Sequence, residues 1–236
     1  FVLVHGAMHG GWCWRDVRPL LERVGHVVHT PTLTGQGDRR HLLTPEVGVT
    51  THVDDLTELL WFEDLHDVHL VLHSYAGILA GPVADTAHDR IGRITYVGAF
   101  LTRSGECLLD VEPPDTAARY RDLAANEGDG WRVPASDAFL AQWGVTDPAL
   151  RGLVAPRLTD FPFRAVTDPT TFDEAVLSAI TQAYVRHTDP PLPSLDGSFA
   201  RALDAGWPTY DIATSHDLML TAPAATAALL LEIDRS

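Results

Sequence analysis

Short apolar runs alternate with amphipathic segments along the first hundred residues of the chain. The apolar runs predict buried strands at residues 1–4, 27–30, 68–72 and 94–97, because a strand covered on both faces does not alternate with polar residues. Apolar residues spaced three and four apart predict helices at residues 16–24, 50–62 and 75–87. This alternation predicts an open, mostly parallel α/β sheet flanked by helices with right-handed crossovers.

The alternation stops after residue 100 and returns near residue 181. Prolines and aromatic residues are scattered between these positions without a regular period. We interpret residues 101–180 as an inserted, mainly helical cap, and residues 1–100 and 181–236 as the α/β core. The returning pattern predicts strands at residues 182–187 and 209–213 and helices at residues 198–205 and 222–233.

Composition narrows the classes of partner. The 236 residues are 45% apolar and 21% charged, and the 32 acidic residues outnumber 17 arginines, with no lysine, to give a net charge of −15. This charge disfavours nucleic acid and anionic membranes and favours a small neutral substrate.

Two cysteines, Cys13 and Cys107, argue against a disulfide framework. No apolar run approaches the ~20 residues of a membrane span. We expect a cytoplasmic location, although the chain begins inside a predicted strand. The oligomeric state is left open, with a homodimer as one option.

A serine stands at the junction between the strand at 68–72 and the helix that follows. The stretch Val71-Leu-His-Ser-Tyr-Ala-Gly77 has the form of a nucleophile elbow, a strained turn in which the residues two before and two after the serine are small. Ala76 fits this pattern and Leu72 does not. Ser74 is therefore a candidate nucleophile, and the alternative is a serine that caps the helix.

Candidates for an acid and a base follow Ser74 in the chain order serine, acid, histidine that this architecture requires. Asp189 follows the predicted strand at 182–187, and His216 follows the one at 209–213. Both stand at the carboxyl ends of strands, the edge at which open α/β sheets build their sites. For either residue, the alternative is an ordinary polar position in a loop.

The turn after the first strand, His5-Gly-Ala-Met-His-Gly-Gly-Trp12, offers backbone N–H groups to a developing oxyanion. The N–H of Tyr75, the residue after the candidate nucleophile, offers a second donor. A dinucleotide site is disfavoured because the glycine spacing differs from the phosphate-binding motif and no acidic residue ends the second strand. The 12 histidines lack the spacing of a metal site, so neither a metal nor another cofactor is predicted.

These motifs resemble the α/β-hydrolase superfamily, nearest to the branch of plant methylesterases and hydroxynitrile lyases and its bacterial esterase relatives. The likeness rests on residues 1–12, 31–38, 73–74, 184–189 and 214–216. It implies a catalytic triad of Ser74, Asp189 and His216. It also implies an oxyanion hole formed by the N–H groups of Ala7 and Tyr75.

The acid is the triad position where the chain departs most from these relatives. The turn that carries Asp189 has one residue fewer, so Asp196 is the fallback acid. Another arrangement in the superfamily places the acid after the strand that ends near Val97. Gly98 and Ala99 stand there in this chain, which disfavours that arrangement.

The resemblance implies a cofactor-free serine hydrolase that forms an acyl-enzyme. Apolar cap side chains over a serine favour a hydrophobic ester, thioester or lactone as substrate. The candidate substrate contacts are Met8, Trp12, Trp131, Phe139, Trp143 and Met219.

Two other functions stay open. Leu72 and Ala76 replace glycines of the relatives, which motivates a lyase, cyclase or isomerase that uses Ser74 and His216 as an acid/base pair. The second open function is that of a ligand-binding relative that turns over slowly or not at all. Hydroxynitrile lyase itself is disfavoured, because Gly6 replaces the threonine of its first turn and Asp217 replaces its lysine, and an aspartate repels cyanide.

Overall fold

The computed structural model describes residues 1–236 and is built around a five-stranded sheet. The strands of the chain are β1 (Val2–Val4), β2 (Val68–His73), β3 (Ile91–Val97), β4 (Arg132–Val133), β5 (Phe161–Pro162), β6 (Thr181–His187) and β7 (Thr209–Ile212). The sheet has the order β1-β2-β3-β6-β7, and every neighbouring pair in it is parallel. All six residues of β2 are buried, so helices cover both faces of the sheet, as its continuous apolar sequence predicts.

Helices connect and flank these strands. They are α1 (Arg18–Glu22), α2 (Val49–Phe62), α3 (Ala80–Ala87), α4 (Leu108–Val111), α5 (Pro114–Glu127), α6 (Asp137–Gln142), α7 (Pro148–Val154), α8 (Arg164–Thr167), α9 (Glu174–Ser178), α10 (Asp196–Asp204), α11 (Leu218–Thr221) and α12 (Pro223–Asp234). The first helix contacts the last, while α3 contacts both α2 and α9. None of them has the length and apolar character needed to cross a bilayer.

The predicted α/β class is confirmed, and one predicted strand is wrong. Residues 27–30 form only an isolated bridge, between His29 and Val2. Val27 is 70% exposed, so this edge segment lacks the burial that would extend the pairing. The helix predicted at 75–87 also begins differently, since residues 74–79 form a 3₁₀ turn before α3.

Residues 101–180, which we call the inserted segment, hold helices α4 to α9 and the antiparallel pair β4 and β5. Two backbone hydrogen bonds tie this segment to the core near the strand ends. The N–H of Thr159 donates to the carbonyl of Met8 at 3.0 Å, and the N–H of His216 donates to the carbonyl of Trp143 at 3.1 Å. The segment therefore lies against the edge of the sheet where the predicted catalytic loops emerge.

Candidate active site

Ser74 lies directly after β2 in a strained backbone conformation. Its φ is +54°, a region that residues other than glycine rarely adopt outside tight turns and functional sites. The carbonyl of Ser74 accepts the N–H of Phe100 at 3.0 Å, which fixes this turn against the loop after β3. Leu72 and Ala76 are both buried in this elbow, so the turn forms without glycine at either position.

The position that must be small is Gly6, in the turn after β1. A Cβ at residue 6 would lie 2.7 Å from the Cβ of Ser74 and 3.3 Å from its Oγ. Contacts this short do not occur between real carbon atoms, so any larger residue would displace the serine. Gly6 thus lets the first turn approach the hydroxyl closely.

Ser74 and His216 form the central pair of the site. The Oγ of Ser74 lies 3.0 Å from Nε2 of His216, within hydrogen-bond distance. Burial, together with the nearby imidazoles of His73, His187 and His9, holds the pKa of His216 well below 6.5. The imidazole is therefore neutral at pH 7, the form that can accept the proton of the hydroxyl.

The structure does not bring the predicted acid to this pair. The carboxylate of Asp189 is exposed, and its backbone N–H donates to the carbonyl of Thr214 at 3.0 Å. Asp196, the fallback, is also exposed, at the start of α10. Nδ1 of His216 is buried and has no hydrogen-bond partner. The loop after β6 leaves Asp189 exposed, and neither aspartate forms a hydrogen bond with Nδ1 of His216.

The predicted oxyanion donors are held by networks on both sides of Ser74. The N–H of Ala7 makes no hydrogen bond within the chain, and its carbonyl accepts Nδ1–H of His9 at 2.9 Å. The hydroxyl of Tyr75 donates to Nδ1 of His52 at 2.7 Å. Nε2–H of His52 in turn donates to the carbonyl of Thr34 at 2.9 Å, which fixes the tautomer of the ring. These bonds fix the two backbone segments whose N–H groups are the candidate donors.

A buried ion pair lies beside the site and was missed by sequence reasoning. Nε2 of His9 is 3.4 Å from Oδ2 of Asp217, and both side chains are buried. Burial by itself lowers the pKa of His9, but the charge and contact of Asp217, together with the hydrogen bond to the carbonyl of Ala7, outweigh burial and raise that pKa above its ordinary value. No local signal reveals this pair, because its partners are separated by nearly the whole chain. Elsewhere too, no three His, Cys, Asp or Glu side chains are grouped so that they could hold a metal ion.

The predicted substrate contacts divide into two groups. The rings of Trp12 and Trp143 lie 5.6 Å and 5.2 Å from His9. The Trp143 ring is also 6.3 Å from His216 and packs on Phe139 at 5.5 Å. Met8 is buried in the turn after β1.

The other two predicted contacts, Met219 and Trp131, remain predictions and have neighbours of a different kind. Met219 is fully buried in α11, where it packs as part of the hydrophobic core. The ring of Trp131 lies against the guanidinium of Arg132, 5.7 Å away.

Comparison with known proteins identifies the family. The profile of the Alpha/beta hydrolase family matches residues 1–229. The chain belongs to this family. A fellow member, the carbendazim hydrolyzing esterase of Nocardioides sp. (strain SG-4G), is 34% identical over 231 residues, which cover 94% of each chain. Methylesterase 2 of Arabidopsis thaliana is 37% identical over 103 residues, 43% of this α/β hydrolase and only 39% of the plant protein.

Solved structures confirm the α/β-hydrolase fold at lower sequence identity. An extracellular α/β-hydrolase from a Paenibacillus species superposes with a TM-score of 0.86 at 21% identity, covering 100% of this chain and 99% of that one. Tomato methylketone synthase I superposes with a TM-score of 0.81 at 18% identity, covering 100% and 97%. These likenesses establish the shared fold, which therefore occurs also in proteins with names outside the esterases.

Proposed function

We propose that the protein is a cofactor-free serine esterase that works through an acyl-enzyme on Ser74. The observation that carries this proposal is the pair formed by Ser74 Oγ and His216 Nε2, 3.0 Å apart, on a serine with a φ of +54°. A nucleophile held in a strained turn beside a neutral imidazole is the arrangement that activates a hydroxyl. The esterase relatives support the same reaction class.

In the proposed reaction, His216 Nε2 takes the proton of Ser74 while Oγ attacks the ester carbonyl. The oxyanion accepts hydrogen bonds from the N–H groups of Ala7 and Tyr75. Each such donor lowers the activation barrier by about 2.7–4 kcal/mol. The C–O bond to the alcohol then breaks, and His216 returns the proton to the leaving oxygen. Water, deprotonated by the same imidazole, then attacks the acyl carbon. The bond from that carbon to Oγ of Ser74 breaks, His216 returns the proton to Oγ, and the acid is released.

The surroundings of the pair favour an uncharged, apolar substrate. Trp143 of the inserted segment lies beside His216 and packs on Phe139, and the chain carries a net charge of −15. Aromatic walls with few charged anchors suit a hydrophobic acyl or alkoxy group. The relatives extend this to small esters, since one of them is named for carbendazim hydrolysis and others are methylesterases.

The test is acylation of the wild type and of Ser74→Ala, read by intact mass after a fluorophosphonate probe and by the burst with a short-chain p-nitrophenyl ester. Ser194→Ala is the matched control, because Ser194 is a second serine that is 8% exposed, as Ser74 is. We expect one adduct on the wild type and the control and none on Ser74→Ala. Equal labelling of all three proteins would refute the proposal. Carbendazim and a panel of methyl esters then define the substrate.

A non-hydrolytic acid/base function is the second candidate. The buried Nδ1 of His216 without a partner favours it, because a serine and histidine without a carboxylate form a weaker nucleophile. A lyase or isomerase of this kind would form no adduct and no burst. It would still lose turnover of its own substrate in both Ser74→Ala and His216→Ala.

A further inference from the structure

One ring nitrogen of His216 must donate a hydrogen bond for which the structure shows no acceptor. If Nε2 is to take the proton of Ser74, the ring proton of His216 must sit on Nδ1. Nδ1 is buried and meets no hydrogen-bond partner. In a serine hydrolase this atom normally donates to the group that orients the base. The chain therefore needs some other acceptor at this point.

One side chain beside this atom is equally unpartnered. His187, the last residue of β6, is 3% exposed, and neither of its ring nitrogens has a hydrogen-bond partner. Its ring is 4.9 Å from that of His216 in an edge-on orientation of 61°. Burial lowers the pKa of His187 to about 4, against the opposing charge of Asp217, so the ring is neutral at pH 7 and one of its nitrogens is an acceptor.

Gly98 shows where the two rings converge. A Cβ at residue 98 would lie 2.9 Å from Nδ1 of His187 and 3.3 Å from Nδ1 of His216. Both Nδ1 atoms therefore face the same point above the end of β3. The ring of His187 fills the space that a side chain at residue 98 would take, which makes glycine necessary there.

Two other polar side chains beside His216, those of His73 and Asp217, have contacts of their own. Nε2–H of His73 donates to the carbonyl of His216 at 3.0 Å. Its Nδ1 faces residue 6, whose Cβ would lie 3.0 Å away. The carboxylate of Asp217 lies 3.4 Å from Nε2 of His9, and neither of its oxygens has a hydrogen-bond partner. His187 is the neighbour whose Nδ1 shares the position beside Gly98 with Nδ1 of His216.

We propose that His187 is the positioning residue of the catalytic pair, taking the place of the triad carboxylate by accepting Nδ1–H of His216 on its own Nδ1. The proposal rests on the proposed esterase function. Apo structures often hold catalytic hydrogen bonds in loose geometry that tightens with substrate, so the 4.9 Å separation of the rings suits a contact that closes during turnover. The proton of His187 is then on Nε2.

A cavity on the other side of His187 makes the proposal directly testable. The cavity has a volume of 230 Å³ and is bordered by His187 and Gly98 but by neither Ser74 nor His216. Removing the imidazole of His187 would connect this cavity to Nδ1 of His216. Formate is smaller than an imidazole and supplies a carboxylate oxygen, so it should occupy the space and accept the same proton.

The experiment compares His187→Ala with the wild type, using steady-state hydrolysis of p-nitrophenyl butyrate. We expect kcat to fall by about tenfold or more with KM unchanged, as for the loss of a group that acts through the base. Formate should restore kcat of His187→Ala in a saturable way and leave the wild type unchanged. Gly98→Asp combined with His187→Ala should restore activity without formate, because aspartate tolerates positive φ and Gly98 has a φ of +47°.

Controls separate the possible failures. His187→Gln keeps a hydrogen-bond acceptor and much of the side-chain volume, so it should retain more activity than His187→Ala. It also replaces His187→Ala as the test variant if the alanine variant does not fold. Leu192→Ala, which enlarges the same cavity away from His216, should leave kcat unchanged. If His187→Ala has the same kcat as the wild type and does not respond to formate, the inference is overturned. Absence of fluorophosphonate labelling on the wild type would instead overturn the esterase function itself.

Discussion

Replacing Asp217 by asparagine removes one partner of the buried ion pair and should destabilise the protein strongly. The side chains of His9 and Asp217 are 2% and 0% exposed, so neither charge is screened by water. Breaking a buried pair by removing one partner costs about 3–5 kcal/mol in the free energy of unfolding, because an uncompensated charge remains inside. His9 keeps only its bond to the carbonyl of Ala7, at 2.9 Å.

Asp211→Asn is the matched control. It removes the carboxylate that Arg186 contacts at 2.7 Å, in a pair whose side chains are 54% and 42% exposed. An exposed pair contributes about 0–1 kcal/mol, so this variant should unfold nearly as the wild type does. Both variants lose one carboxylate charge, so the difference between their unfolding free energies measures the effect of burial.

The effect of Asp217→Asn should also depend on pH. In the folded wild type the pKa of His9 is raised above 6.5, so the folded state binds this proton more tightly than the unfolded chain does. The stabilisation is therefore complete below pH 6.5 and is lost as the pH rises through the folded-state pKa. The difference in unfolding free energy between the wild type and Asp217→Asn should shrink from about pH 6 to about pH 9.

Urea unfolding followed by tryptophan fluorescence at both pH values gives these free energies. Adding His9→Gln alone and with Asp217→Asn completes a double-mutant cycle that isolates the coupling. If Asp217→Asn unfolds within 1 kcal/mol of the wild type, or if its effect is the same at both pH values, then the pair is not a buried charge pair.

Three further predictions concern the catalytic pair and its supports. Gly6→Ala places a Cβ 2.7 Å from that of Ser74, so it should abolish acylation while retaining the circular dichroism of the wild type; normal labelling would contradict this. Because the pKa of His216 lies well below 6.5 and the neutral ring is the base, kcat/KM should stay constant as the pH falls to 6.5, and an acid limb centred above that value would be inconsistent with the site. Tyr75→Phe leaves Nδ1 of His52 without its donor, which should lower the unfolding free energy by about 1–3 kcal/mol and lower kcat more than it raises KM; unchanged kinetics would show that the hydroxyl does not position the backbone N–H of Tyr75.

Much of the fold follows from local patterns. The continuous apolar run at 68–72 and the helical spacing at 50–62 correspond to β2 and α2 almost residue for residue, because burial imposes its period on consecutive residues. The same local logic is insufficient at residues 27–30, where an apolar pair lies at the sheet edge and forms one bridge. The number of strand neighbours is a tertiary property that no short window contains.

The sequence by itself determined the family and the candidate nucleophile and base. The motif around Ser74, the histidine after the last strand and the glycine-rich first turn occur in a fixed chain order, and parallel strands bring their carboxyl ends to one edge. Chain order and strand direction are both readable from sequence, so this part of the site could be predicted.

Only the tertiary structure decided what supports His216. Asp189 has the residue type and the place in the chain that a triad acid requires, yet it lies exposed in the loop after β6. The pair of His9 and Asp217 and the convergence of His187 on Gly98 join residues that are distant in the chain. Such contacts depend on angles and distances of about an ångström between separate strands, and these are set by the packing of the whole sheet rather than by any local pattern.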